Sequence, residues 1–312
     1  MNKITMQSNN EITFNDAFDK FIRKCKVKNL TEKSIKSYEQ KIRPFEEFCT
    51  EHKIALNEIT ADTVDDFIIW IRNTHTANDI SINSYLRTVR AFVYFCMDNA
   101  YIEHFKVHIP KATKKAKETY SDAELAVLLK KPNKKYCTFT EFKIWTFENF
   151  LLGTGVRLST ALDVKIKDIK FEDELIFLGT TKNRIQQYIP LSKSLAVILK
   201  EYLEVRGDNP TDYLFCNAYG KKANERTYQQ MVQKYNTDRG IDRTSIHAFR
   251  HTFARLYIMN GGNAFVLQKL MGHSDISVTK EYVELFGTDL AVDYDRLNPL
   301  DNLSHRGEYI RM

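Results

Sequence analysis

The sequence predicts a mainly α fold with a small antiparallel β-sheet, divided into a helical N-terminal domain and a mixed α+β C-terminal domain. Three observations predict it. Apolar residues recur at helical spacing through roughly the first hundred residues, three short β-prone runs follow one another in the second half, and a lysine-rich stretch separates the two patterns.

Phe14, Phe18, Phe21 and Ile22 open the first helix, which breaks at Lys28-Asn29. Thr31 is placed to cap a second, through Ile35, Tyr38, Ile42, Phe45 and Phe48, with Pro44 expected to interrupt or kink it. Thr60 caps a third with Val64, Phe67, Ile68 and Ile71 on its inner face, and a fourth carries Ile82, Tyr85, Leu86, Val89, Phe92, Val93 and Met97. Four such helices form a compact bundle. From Lys106 to Lys117 come five lysines, one proline and no acidic residue, which is a linker by composition and a phosphate-tracking strap by charge. Ser121-Asp122-Ala123-Glu124 then reads as a capping box opening the second domain. A helix through Phe142, Trp145, Phe147 and Leu151 ends at Gly153-Thr154-Gly155, and the β-prone runs are Ile169–Phe171, Leu175–Leu178 and Gln187–Ile189. Turns at Glu172-Asp173 and Lys182-Asn183-Arg184 join them, and helices resume from Ser192.

The chain's 312 residues are enough for two domains, each with its own core. A hydrophobic fraction of 43% and a charged fraction of 28% are those of a soluble globular protein. No apolar run approaches the roughly 20 residues that span a bilayer, and the N-terminus lacks a signal-like apolar core, so the expected location is the cytoplasm. Cys25, Cys49, Cys96, Cys137 and Cys216 show no short pair, which argues for reduced, mostly buried thiols. A net charge of +6 is compatible with a polyanionic partner.

Several polar residues stand at helix boundaries or at the tip of the predicted hairpin: Arg157, Lys182, His247, Arg250, His251, His273 and Tyr282. The spacing of His247 and His251 is that of two zinc ligands on a helix, but Ala248 stands where the general-base glutamate would be and Arg250 would repel a cation. No phosphate-cradling glycine-rich loop ending in Lys-Ser or Lys-Thr is present, so neither a metal nor a nucleotide cofactor is expected. Two arginines, a lysine, histidines and a tyrosine are instead what metal-free attack on a phosphodiester requires. Guanidinium groups stabilise charge on the non-bridging oxygens, a tyrosine oxygen is a competent nucleophile, and a cationic lysine can protonate the leaving oxygen.

Four strings then resemble the motifs of one family, in its order and approximate spacing. They are Gly153-Thr154-Gly155-Val156-Arg157-Leu158-Ser159; Thr180-Thr181-Lys182-Asn183-Arg184 leading into Ile189-Pro190-Leu191-Ser192; Ser245-Ile246-His247-Ala248-Phe249-Arg250-His251-Thr252; and Leu270-Met271-Gly272-His273-Ser274 through Lys280-Glu281-Tyr282. On these the chain is identified as similar to the tyrosine recombinases of the phage-integrase class.

The resemblance implies a SAM-like core-binding domain over 12–105, a basic linker over 106–118, a catalytic domain over 119–287 and terminal tails at 1–11 and 288–312. It implies a site-specific recombinase that cleaves and rejoins DNA through a 3′-phosphotyrosine at Tyr282. Arg157 and Arg250 would bind the scissile phosphate, and Lys182 would act as general acid. His247 would give acid–base help to the tyrosine, His273 would hydrogen-bond the phosphate, and His251 would be structural. One departure is Thr160, where the family often has an acidic residue, with Asp163 a turn later. Lys106, Lys111, Lys114, Lys115 and Lys117 are expected on phosphates of double-stranded DNA. A homotetramer on paired core sites, a tail docking on a neighbouring protomer, and accessory bending or directionality proteins complete the expectation. Integration and excision of a mobile element is the first reading; a Xer-like dimer resolvase, a type IB topoisomerase-like relaxing enzyme and an inactive DNA-binding protein are the alternatives.

Overall fold

The computed structural model describes residues 12–75, 78–111, 117–179, 186–217, 219–273 and 275–286. It divides into two compact units, 1–116 and 117–312.

In the first unit, α1 (Phe14–Val27), α2 (Glu32–Glu51), α3 (Ala61–Thr74) and α4 (Asp79–Asp98) are the four expected helices. Each begins where a short polar side chain takes an orphan amide: Thr13 from Asp16, Thr31 from Ser34, Thr60 from Thr63 and Asn78 from Ser81. Contrary to expectation, α2 runs unbroken through Pro44. The proline deprives the Gln40 carbonyl of its amide, but Gln40 is exposed and water can serve it, while the Pro44 ring is buried in the bundle. The core is aromatic. Phe45, Phe67 and Phe92 are fully buried, with Phe45 and Phe67 edge-on at 5.1 Å and Phe14 tilted against Phe92 at 5.0 Å.

The basic stretch does not begin as free linker. Val107 is buried in this core, and buried Asn83 donates its Nδ2 to the Pro110 carbonyl at 2.8 Å. Lys106 and Lys111 are exposed on that segment.

The second unit opens at α5 (Asp122–Leu128), where the Ser121 and Glu124 side chains each satisfy the other's backbone amide. Its centre is α6 (Phe139–Thr154), apolar on nearly every face and packed by α8 (Lys193–Arg206), α9 (Glu225–Thr237) and α10 (Ile246–Met259). Between α6 and α8 lie the short α7 (Leu158–Asp163) and an antiparallel sheet of β1 (Ile169–Lys170), β2 (Leu175–Leu178) and β3 (Gln187–Pro190), in the order β1-β2-β3. Ile176 pairs with Ile169 on one side and Ile189 on the other, which puts all three on the core face. The predicted second turn of this hairpin, with Lys182, lies outside the described residues. Helices α11 (Ala264–Met271) and α12 (Ile276–Phe286) close the unit against α10.

The mainly α class with a small antiparallel sheet is therefore borne out. The five cysteines are free thiols, four of them buried. Among the described residues no helix is long and apolar enough to cross a membrane.

Candidate active site

Two helix ends build the floor of the site. Helix α6 stops at Gly155, which is left-handed (φ 63°), and a Cβ there would come within 2.3 Å of the Phe253 ring. Helix α11 stops in the same way at Gly272 (φ 60°). Both turns present carbonyls to the arginines. Arg250, on α10 and only 6% exposed, donates Nη1 to the Gly155 carbonyl at 2.7 Å and Nη2 to the Met271 carbonyl at 2.8 Å. Arg157, at the start of α7, donates Nη1 to the Gly272 carbonyl at 3.4 Å. Burial, then the neighbouring Arg157 charge, brings Arg250 down to about 10, so it remains a cation at neutral pH. Desolvation lowers Arg157 as well. Among the described residues neither arginine is paired with a carboxylate.

Arg250 Nη2 also lies 2.8 Å from His273 Nε2. A guanidinium can only donate, so Nε2 accepts, and the proton of the neutral ring sits on Nδ1, which donates to Thr279 Oγ1 at 2.8 Å. Burial, then Arg250 and Arg157, pushes His273 down to about 4, which keeps the ring neutral. Thr279 and Tyr282 are three residues apart on α12, hence on one face, and both are buried.

Tyr282 is 2% exposed. Its ring lies parallel to His273 at 6.3 Å, and its hydroxyl is 2.7 Å from His251 Nδ1. Lys117 stands 3.8 Å over the same ring and pairs with Glu281 at 2.8 Å. Burial raises the Tyr282 phenol against the opposing pull of Arg250. Burial, then Lys117, pushes His251 down to about 4. The phenol therefore holds its proton, within hydrogen-bond distance of a neutral imidazole.

The predicted residues divide accordingly. Arg157, Arg250, His273 and Tyr282 converge. His247 stands one turn before His251 on α10, exposed and with no hydrogen bond among the described residues; partial desolvation and the two arginines hold it below its ordinary value. Lys182, Lys114 and Lys115 lie outside the described residues, as do Tyr294 and the C-terminal tail. Lys117, expected on DNA phosphates, stands over the Tyr282 ring. Thr160 is buried beside Arg157, and Asp163 pairs with Lys222, so neither supplies a carboxylate to the arginines.

Sequence reasoning gave His251 a structural place and missed its contact with Tyr282, as it missed Thr279 and the inward turn of Lys117. A signal for the first was present. The four-residue spacing of His247 and His251, weighed as a metal pattern and rejected, also places the two imidazoles on one helix face. Among the described residues no three His, Cys, Asp or Glu side chains converge as a metal would need.

Comparison with known proteins gives a consistent picture. The family model described as the phage integrase family matches residues 121–287, and that of the phage integrase SAM-like domain matches 13–115. A probable integrase/recombinase of Acholeplasma phage L2 is 30% identical over 230 residues, covering 70% of this chain and 74% of that protein. The tyrosine recombinase XerD of Staphylococcus haemolyticus is 24% identical over 282 residues, covering 87% and 94%. Among solved structures, a lambda integrase tetramer bound to a Holliday junction superposes with a TM-score of 0.67 at 16% identity, covering 88% of this chain and 78% of that one, a likeness of fold.

Proposed function

The chain belongs to the phage integrase family, and from that premise we propose that its polar cluster breaks and rejoins DNA strands through Tyr282, integrating or excising a mobile element. The observation that carries the reading is the convergence of Arg157, Arg250 and His273 beside the buried hydroxyl of Tyr282.

A phosphodiester seated between the guanidinium groups would place its non-bridging oxygens where negative charge grows during attack. Arg250 holds His273 at Nε2, and a phosphate oxygen would compete for that contact. The Tyr282 oxygen forms a bond to phosphorus as the bond to the 5′-oxygen breaks. Lys182, by its place in the hairpin motif, supplies the proton that the 5′-oxygen takes. His247, at the open edge of the cluster, serves a phosphate oxygen or proton exchange with solvent. One phosphodiester is replaced by another, so bond energy is conserved and a second strand's 5′-hydroxyl can reverse the step without ATP.

The substrate is double-stranded DNA, gripped in part by Lys106 and Lys111, which are exposed on the first unit. The assembly is a homotetramer on paired sites, in keeping with the lambda integrase tetramer of the same fold. Accessory bending or directionality proteins assist it, and the enzyme works in the cytoplasm. Likeness to XerD over nearly the whole chain favours dimer resolution as the second reading.

The test is to incubate wild type and Tyr282→Phe with sheared genomic DNA of the source organism, denature in detergent and sequence the DNA that stays attached. Adducts in wild type alone, at the ends of an inserted element, support integration. Adducts at one locus unrelated to any inserted element support resolution. No wild-type adduct despite intact DNA binding would sink the enzymatic reading, and adducts in both proteins would move the nucleophile elsewhere.

A further inference from the structure

We infer that His251, rather than His247, receives the phenolic proton of Tyr282 as the strand is cut. The inference rests on the proposed function and deepens it. Its basis is position. His251 Nδ1 is 2.7 Å from the Tyr282 oxygen, inside hydrogen-bond range for a general base, with ring centroids 5.8 Å apart. His247 is one turn earlier on α10, exposed, and bonded to none of the described residues.

The step balances. The Tyr282 O–H bond breaks and an N–H bond forms on His251 Nδ1. The tyrosine oxygen bonds to phosphorus, the phosphorus–5′-oxygen bond breaks, and the 5′-oxygen takes its proton from the general acid. His251 becomes an imidazolium, and the proton returns to the phenol when a 5′-hydroxyl reverses the reaction.

The surroundings bear on when the imidazole can take a proton. The charged and titratable groups facing His251 are Lys117 before α5, His247 and Arg250 on its own helix, His273 after α11, and Tyr282 on α12. Burial, then the cations among them, opposes an imidazolium and holds His251 down to about 4. A phosphate between the arginines brings compensating negative charge. Proton transfer then becomes feasible where a strand is present to be cut.

The test compares wild type, His251→Asn and His247→Asn on a duplex of the sequence recovered from wild-type adducts. Asparagine can accept the tyrosine hydrogen bond but cannot take its proton. Single-turnover adduct formation is followed against pH, with a normal duplex and with one whose bridging 5′-oxygen is sulfur, a leaving group that departs without protonation. The expected result is that His251→Asn falls by about 100-fold near pH 7 on both duplexes and recovers steadily as pH rises and hydroxide replaces the imidazole. A rate within a few-fold of wild type, rescue by sulfur, or the same pH signature in His247→Asn instead would overturn it. A measurement without DNA guards against misfolding: the ¹⁵N resonance of His251 Nδ1 should move in Tyr282→Phe, and an unmoved resonance counts against the inference. A wild type that forms no adduct refutes the proposed function and the inference together. An active wild type with an equally active His251→Asn refutes the inference alone.

Discussion

The two units bury different chemistry. The core of the first is a sheaf of aromatic rings, and among the described residues its buried polar side chains are Thr63, Asn83 and Thr88. The second buries Arg250, Glu148, Asn236, Thr252 and Thr279 among its apolar residues. A buried charge is costly unless the fold surrounds it with partners, and Arg250 has them in the Gly155 and Met271 carbonyls, so at Arg250 chemistry rather than packing governs the choice of residue. The bundle can be read as a stability device and the second unit as one that gives up stability around a site.

The sharpest way to break this comparison is Phe92→Ala. Phe92 is fully buried against Phe14, Phe18 and Phe21, and the truncation should cost about 3–5 kcal/mol. The chain's two tryptophans report on the units separately, since Trp70 lies in the first and Trp145 in the second. Denaturant titration of single-tryptophan versions should shift the Trp70 transition and leave that of Trp145 in place; a common shift would mean that the units melt as one body.

Arg250→Lys asks the opposite question. An ammonium cannot reach the Gly155 carbonyl, the Met271 carbonyl and His273 together, so strand cleavage at saturating DNA should fall by about 10²–10³-fold while the Trp70 transition holds. Cleavage within tenfold of wild type, roughly 1.4 kcal/mol, would show that a single point charge suffices.

The smallest effect is expected at Glu148, fully buried on α6 with neither carboxylate oxygen hydrogen-bonded among the described residues. Burial raises its pKa well above the ordinary 4.5, so its contribution to stability is fully present below that value and is lost as pH rises through the folded-state value. Glu148→Gln cannot ionise and should gain about 1–3 kcal/mol on wild type at alkaline pH, with little difference near pH 4. Thermal melts across pH check it, and a constant gap would place the carboxyl's proton outside this balance.

Much of this organisation is legible in the sequence, because periodicity and caps are local. Phe14, Phe18 and Phe21 announce α1 by spacing alone, and Thr31, Thr60 and Ser121 announce where helices start. The motif strings single out Arg157, Arg250, His273 and Tyr282, which the fold brings together. What escaped is tertiary. The contact of His251 with Tyr282 spans 31 residues and depends on how α12 lies against α10. The lysines from 106 to 117 look alike in composition, yet Val107 anchors one end of the stretch in the bundle and Lys117 is captured at the other by Glu281. Pro44 reads as a break because propensity ignores the packing that buries its ring within a continuous α2.

The carbonyls at the ends of α6 and α11 have a consequence for the cost of reaching the transition state. A carboxylate beside Arg250 or Arg157 would have cancelled their charge and would have to be displaced by an incoming phosphate. Peptide carbonyls act instead as an immobile hydration shell: they solvate each guanidinium without neutralising it, and they are already oriented by the two glycine turns. Water in the same place would have to reorient as charge moves onto the phosphate oxygens. Fixed dipoles need not, and that reorganisation energy is met once, when the chain folds, instead of at every turnover.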